Sequence, residues 1–346
     1  MTAELPRLAV LVVTYGNPED VDRCLRSLAR SELSDFEIFI CENGGEAAFS
    51  KLVDLLLGSG GVLQKTDGRA IEGLDRPGGR IVDVVKCRFH DRPNIVRIGC
   101  AVDNLGYGGG VNAWLERLLG HSGWDAALVL NPDTEVSEAC LSELLKTADQ
   151  GHEMVGPTLV FHDAPERIVN CGLRWSPVTG RVTAVGRDLP ADRVPPAELL
   201  SSIDAVSGAC VLATRSYVEE VGLMAEDYFL YMEDLDWGRR RGHRRTGFAD
   251  KAIVRHVGGT AIGSSVDPRQ QSPLSVYLSA RNSILYARRW AGRRWPLHVG
   301  TGLLYATRYM LIGAPSAAIL TLQGLLDGIR GRTGKPDTSL WSRKAG

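Results

Sequence analysis

The chain lacks most of what would sort it quickly into a class. Its seven cysteines, Cys24, Cys41, Cys87, Cys100, Cys140, Cys171 and Cys210, are scattered with no Cys-x-x-Cys pair. An odd count without paired spacing argues against a disulfide framework and for a reducing compartment. Net charge is nearly absent: −1 over 346 residues, which gives no sign of a nucleic-acid partner. The opening MTAELPRLAV has no charged-then-apolar signal pattern, so a cytoplasmic location is expected. No repeat of fixed period is visible. A dinucleotide fingerprint is missing as well. In DNLGYGGGVN (103–112) Gly106 and Gly108 fit, but the third glycine would fall at Val111.

The content that remains is that of an α/β protein. With 44% hydrophobic residues, the length suits one large domain, or a domain plus an extension. RLAVLVVTYG (7–16) reads as a buried strand, and PEDVDRCLRSLARS (18–31) as a helix with Val21, Cys24, Leu25 and Leu28 on one face. FEIFICENGG (36–45), NIVRIGC (94–100) and DAALVLN (125–131) are further strands, with a helix expected over 109–120. This alternation implies a mostly parallel sheet with helices on both faces. Its strands are apolar nearly throughout, as burial on both sides demands. The Gly- and Arg-rich stretch 58–93 reads as an inserted loop with one hairpin. Beyond 150 the pattern turns antiparallel, with a hairpin in GLRWSPVTGRVTAVG (172–186). These features divide the chain into an α/β domain, 1–270, and a helical, basic extension, 271–346.

In an open parallel sheet, ligands bind beyond the carboxyl ends of the strands. Four such ends carry polar or glycine-rich sequence: Thr14-Tyr15-Gly16, Glu42-Asn43-Gly44, the segment from Asp103 to Asn112, and Asn131 to Glu135. The glycines of 103–112 suit a phosphate approached by backbone ahead of a helix N-terminus, or an ordinary turn. Asp133 suits a hard cation shared with phosphate oxygens, or an Asx turn before the next helix. EDYFLYMEDLDWGRRRG (226–242) places Glu233, Asp234 and Asp236 at the start of a helix, where acids suit the dipole. Arg240 lies four residues after Asp236, the spacing of an internal ion pair.

Seven segments occur in a telling order: VVTYGNPEDVDRCLRSL, ICENGG, DNLGYGGGVNAWL, LVLNPDTEV, SGACVLATR (207–215), EDYFLYMEDLDWGRRRG and VRHVGG (254–259). Over about residues 7 to 290 the chain resembles the inverting nucleotide-sugar glycosyltransferases of the GT-A fold, especially the rhamnosyltransferase-like branch of family 2. The resemblance implies a Rossmann-like GT-A domain that transfers rhamnose or a hexose from a dTDP- or UDP-sugar to a glycan or lipid-linked acceptor. It implies that Asp133 holds Mg²⁺ or Mn²⁺ at the diphosphate, with Asn131 at the first position of the family's Asp-X-Asp-type motif. His256 is a further metal ligand by the same comparison, or a structural histidine. Asp234 becomes the general base, with Glu233 and Asp236 orienting it or binding acceptor hydroxyls. Thr14, Tyr15 and Glu42 would contact the nucleotide; Asn104, Gly106 and Asn112 the sugar and diphosphate. Gly208 would let the sugar approach, or serve strand packing, and the family's arginine at Arg240 leaves a phosphate role open. A nucleotidyltransferase and a noncatalytic nucleotide-sugar-binding protein are the alternatives. The first normally has a glycine-rich basic signature near the first strand, which TYGNPEDVDRC lacks.

Charge is uneven. From Arg281 onward there are eleven Lys/Arg against two Asp/Glu. Tyr309 to Leu326 is an uncharged stretch of eighteen residues, barely the length of a membrane span and interrupted by Pro315. Helices lying on the anionic inner face of the cell membrane are expected, with a hairpin packed on the catalytic domain as the other reading.

Overall fold

The computed structural model describes residues 5–67, 70–193, 195–258 and 269–338. β1 (Leu8–Thr14) is buried along its whole length, as its unbroken apolar run requires. It is followed by α1 (Pro18–Leu28), β2 (Phe36–Glu42), α2 (Glu46–Leu57), β3 (Leu63–Lys65), β4 (Ile81–Phe89), β5 (Ile95–Ala101) and α3 (Gly106–Leu119). Then come β6 (Ala126–Leu130), β7 (Thr134–Val136), α4 (Cys140–Asp149), β8 (Met154–Phe161), β9 (Ile168–Asn170), β10 (Leu173–Trp175), β11 (Val182–Ala184) and α5 (Ala197–Ser201). The rest comprises β12 (Cys210–Thr214), α6 (Arg215–Val221), α7 (Glu233–Arg239), β13 (Thr246–His256), α8 (Pro273–Trp290), α9 (Trp295–Leu311) and α10 (Pro315–Ile329).

The main sheet runs β3-β4-β5-β2-β1-β6-β12-β8-β13-β7, with β9 beside β8. β5, β2, β1 and β6 are parallel, and β12 enters antiparallel between β6 and β8. Helices cover both faces over two apolar layers, one gathering α1, α2 and α4, the other α3 and α6. This mixed, mostly parallel sheet with covered faces is the GT-A architecture expected from the sequence, with helices closing the C-terminal part.

Register aligns the strand ends. Thr14 pairs with Glu42, Glu42 with Cys100, and Val12 with Leu130. β12 runs the other way, Cys210 opposite Leu130, so its entry, Ser207 to Ala209, lies at the same edge. β13 pairs with β7 so that His256 is opposite Thr134, one residue from Asp133.

Three expectations change. The stretch 58–93 carries the β3–β4 hairpin, but β4 also pairs along β5, so the insert widens the sheet. α3 starts at Gly106, three residues earlier than the spacing suggested, and takes the glycines into its first turns. The uncharged run from Tyr309 to Leu326 is divided: α9 stops at Leu311 and α10 begins at Pro315. Among the described residues no helix is long and apolar enough to cross a membrane.

α8 is bound to the body that carries the main sheet. Asn282, fully buried, donates to the carbonyls of Tyr228, Leu230 and Tyr231 at 2.9, 2.7 and 3.1 Å. Buried Arg281 donates to Tyr228 O at 2.9 Å. The gripped segment needs holding, because Phe229, Tyr231 and Met232 all have φ between 63 and 78°. That left-handed region is costly for side chains of this size.

Candidate active site: a crevice at the strand ends

A cavity of about 760 Å³ opens where the strand ends converge. Its walls are the turn after β1, the start of α3, the segment between β6 and β7, the entry to β12, and the segment leading into α7. Thr14, Tyr15, Asn104, Gly106 and Asn131 line it, as do Asp133, Gly208, Glu233, Asp234 and His256.

Asp133 is held from two sides. Its Oδ2 accepts the Gly258 N–H at 3.1 Å, and the β13–β7 register brings His256 Nε2 to 3.3 Å from its Oδ1. Burial works against the charge on Asp133, but His256 and the backbone donors outweigh it and hold the carboxyl below its ordinary range. The imidazole nitrogen is thus within ion-pair distance of the carboxylate. Among the described residues no cluster of three or more His, Cys, Asp or Glu side chains is arranged to hold a metal. This pair therefore offers two protein ligands at most.

α7, which lines the same cavity, starts at Glu233. The two oxygens of Asp234 accept backbone N–H groups of Gly208 and Leu235, at 2.9 and 2.8 Å. Burial raises the Asp234 pKa, with those donors opposing. Glu233 is pushed higher, to about 8, by burial and by the charge on Asp234. Its Oε2 is buried and accepts no hydrogen bond. Burial thus favours the protonated form of both acids, and the neighbouring Asp234 charge adds to that at Glu233.

Two glycines have structural reasons unlike those expected of them. A Cβ on Gly106, whose φ is +74°, would stand 2.2 Å from Phe229 O. The close approach there is by the chain's own loop, tied by Tyr107 N–H to Phe229 O at 2.8 Å. A Cβ on Gly208 would meet the Asp234 side chain at 3.2 Å, so this glycine makes room for the carboxylate.

Four residues assigned to the site do not line the crevice. Asp236 is fully buried behind it, taking hydrogen bonds from Arg240 Nε and Trp290 Nε1, both at 2.9 Å, with Arg289 at 3.2 Å. It anchors α7 to α8, so its charge is consumed within the protein. Arg240 completes that pair and donates to the carbonyls of Val221 and Leu223 at 2.7 and 2.5 Å, which leaves no guanidinium for a phosphate. Asn112 is buried and joins α3 to Met224, donating to its carbonyl at 2.9 Å and accepting from its N–H at 3.0 Å. Glu42 is buried beneath the ends of β1 and β2, where its Oε1 accepts N–H groups of Gly16 and Gly44 at 3.1 and 2.6 Å. It shapes the two loops rather than reaching into the cavity.

Three polar lining residues have no individual role in the sequence reading, although Asn43 and Tyr107 lie in strand-end segments expected at the crevice. Asn43 donates to Gly106 O at 2.9 Å, and Tyr107 OH donates to Gly208 O at 2.7 Å. Lys335, counted there as part of a basic flank, also lines the cavity. That placement is the signal for Asn43 and Tyr107; Lys335 has none.

No family model matches the chain. The low-salt glycan biosynthesis hexosyltransferase Agl10 of Haloferax volcanii is 24% identical over 250 residues, which cover 68% of this chain and 76% of that one. An N-acetylglucosaminyl-diphospho-decaprenol L-rhamnosyltransferase of Mycobacterium tuberculosis is 28% identical over 261 residues, 70% of this chain and 71% of the relative. In structure the chain is similar to GalNAc-T7, solved with UDP, GalNAc and Mn²⁺. The TM-score is 0.53 at 12% identity, covering 94% of this chain and 56% of that one. The chain is thus similar in sequence to proteins named as a hexosyltransferase and a rhamnosyltransferase, and it shares the GT-A fold.

Proposed function

We propose that the chain is an inverting glycosyltransferase. It moves rhamnose or a hexose from a dTDP- or UDP-sugar to a hydroxyl of a lipid-linked or cell-surface glycan. The observation that carries this reading is the shared crevice. Asp133 with His256 lines one wall, Asp234 with Glu233 another, and the space between is large enough for a nucleotide-sugar.

In this reading the acceptor hydroxyl gives its proton to Asp234 as its oxygen bonds to the anomeric carbon. The bond from that carbon to the diphosphate breaks on the opposite face, and the diphosphate leaves with the electron pair. Asp234 is suited to the task because burial makes it more basic than a surface aspartate, while Gly208 and Leu235 fix its orientation. Glu233, whose proton is held more tightly than that of an ordinary carboxyl, is a donor for the acceptor or for Asp234. Asp133 and His256 fit a divalent cation: a carboxylate held below its ordinary range and an imidazole nitrogen stand 3.3 Å apart on the cavity wall. A bound Mg²⁺ or Mn²⁺ would neutralise charge building on the diphosphate. Tyr15, 54% exposed beside the cavity, is a platform for the base. The lipid-linked acceptor and the rhamnosyl donor rest on the name of the mycobacterial relative. The test is a panel of dTDP-, UDP- and GDP-sugars scored for nucleoside diphosphate release. Release that EDTA abolishes is expected; pyrophosphate release would instead mark a nucleotidyltransferase, and binding without turnover a noncatalytic protein.

Peripheral attachment to an anionic bilayer belongs to the same reading. α9 exposes Leu297, Leu304 and Leu311 seven residues apart, and α10 exposes Ile319, Leu322, Leu326 and Ile329 at helical spacing. Arg293, Arg294, Arg308 and Arg330 are exposed around them. Apolar stripes ringed by guanidinium groups fit a surface of acyl chains under anionic headgroups. The protein is expected to co-sediment with vesicles rich in phosphatidylglycerol, to ignore phosphatidylcholine vesicles, and to lose binding in Leu304→Asp. Equal recovery with both vesicle types, or self-association through this face, would contradict the attachment.

A further inference from the structure

Among the described residues, the cavity is lined by three acidic side chains, Asp133, Glu233 and Asp234, and by one ammonium, Lys335. A donor diphosphate entering it brings more negative charge, so positive charge must meet it there. Lys335 belongs to the chain's last described segment, which returns from α10 to the mouth of the crevice. The segment is tied down at several points. Gly334 N–H donates to Asp227 O, and Arg281 Nη1 donates to Gly334 O, both at 2.7 Å. Lys335 Nζ lies 2.7 Å from Asp103 Oδ1, and Pro336 and Thr338 continue along the cavity wall. Asp103 follows β5 and precedes Asn104 and Gly106, both cavity-lining. The ammonium is thus delivered to the side of the crevice formed by the start of α3.

We infer that residues 334–338 form a wall of the donor site, and that Lys335 supplies its ammonium to the donor's diphosphate. Asp103 parks the ammonium at the crevice until the donor arrives. The partners suit an exchange, since both side chains are about half exposed or more and their mutual attraction is screened by water. A diphosphate carries more charge than one carboxylate and competes for the same ammonium. The inference rests on the glycosyltransferase reading and deepens it. It makes the C-terminal extension part of the donor site.

The experiment is calorimetric titration of UDP, dTDP and the parent nucleosides with Mn²⁺ at low salt, using wild type, Lys335→Gln, Lys335→Arg and Asp103→Asn. The Gln variant is expected to bind the diphosphates about tenfold more weakly, the loss typical of one charge-assisted hydrogen bond at a partly open site. Nucleoside binding should not change, and Arg should restore most of the diphosphate affinity. Asp103→Asn should bind diphosphates as tightly as wild type or tighter, because it frees the ammonium. If Lys335 only pins the segment through Asp103, the Gln and Asn variants weaken binding alike, and the inference is overturned. Unchanged diphosphate binding in Lys335→Gln overturns it as well, while leaving the glycosyltransferase reading intact. A wild-type protein that binds neither diphosphate removes that reading and this one with it.

Discussion

Asp234→Asn is expected to lower kcat/KM by at least about 10³-fold, the contribution of a positioned general base, while nucleoside diphosphate affinity stays within about twofold of wild type. The substitution keeps the shape of the side chain and removes its capacity to take a proton. Nucleotide affinity should persist because Asp234 sits on α7, whereas the Asp133–His256 pair is carried by the β7 and β13 ends. One local cost is foreseeable. Both carboxylate oxygens accept backbone N–H groups, and an amide nitrogen facing one of them would lose that bond, so a parallel melting curve belongs with the assay. The pH profile adds a second readout. A base works when deprotonated, so activity falls as pH drops through its pKa. Burial raises the Asp234 pKa, so the acid limb should lie above the ordinary carboxylate range and be absent from the residual activity of the Asn variant.

Asp133→Ala should produce the converse result. Donor affinity in Mn²⁺ is expected to fall by about 100-fold, at the upper end of what losing a metal-site contact costs. The remaining binding should no longer respond to EDTA. The reason is economy of ligands: Asp133 and His256 have no third His, Cys, Asp or Glu beside them among the described residues. Removing the one carboxylate leaves an imidazole and the diphosphate to hold the ion. Titration of nucleoside diphosphate with and without Mn²⁺ measures both effects. An alanine variant whose affinity still rises with Mn²⁺ as in wild type would assign the metal to other residues.

The core strands were legible because burial on both faces writes an unbroken apolar run, and β1, β2 and β6 have one. The polar ends of those strands pointed to the crevice for the same reason. What the sequence could not carry was register between distant segments. His256 meets Asp133 through a pairing with β7, a strand of only three residues, after an irregularity in β13 between Ala249 and Ile253. Neither leaves a periodic trace. Asp236 and Arg240 had the spacing of an ion pair, but Trp290 and Arg289, which complete the cage, come from α8. Asn112 and Glu42 looked like ligands because they are polar near a crevice. Their partners are backbone groups of loops that fold over them. Lys335 is separated from the rest of the site by the whole helical extension, and only the path of the chain after α10 brings it back.

The claim beneath these predictions is that one donor molecule lies between the two acids. A crystal structure of the Asp234→Asn protein with an intact dTDP- or UDP-sugar and Mn²⁺, using the anomalous signal of manganese, tests it most directly. The account expects the manganese peak between Asp133, His256 and the diphosphate, with the anomeric carbon facing residue 234. Manganese bound elsewhere, or a sugar turned away from α7, would contradict it.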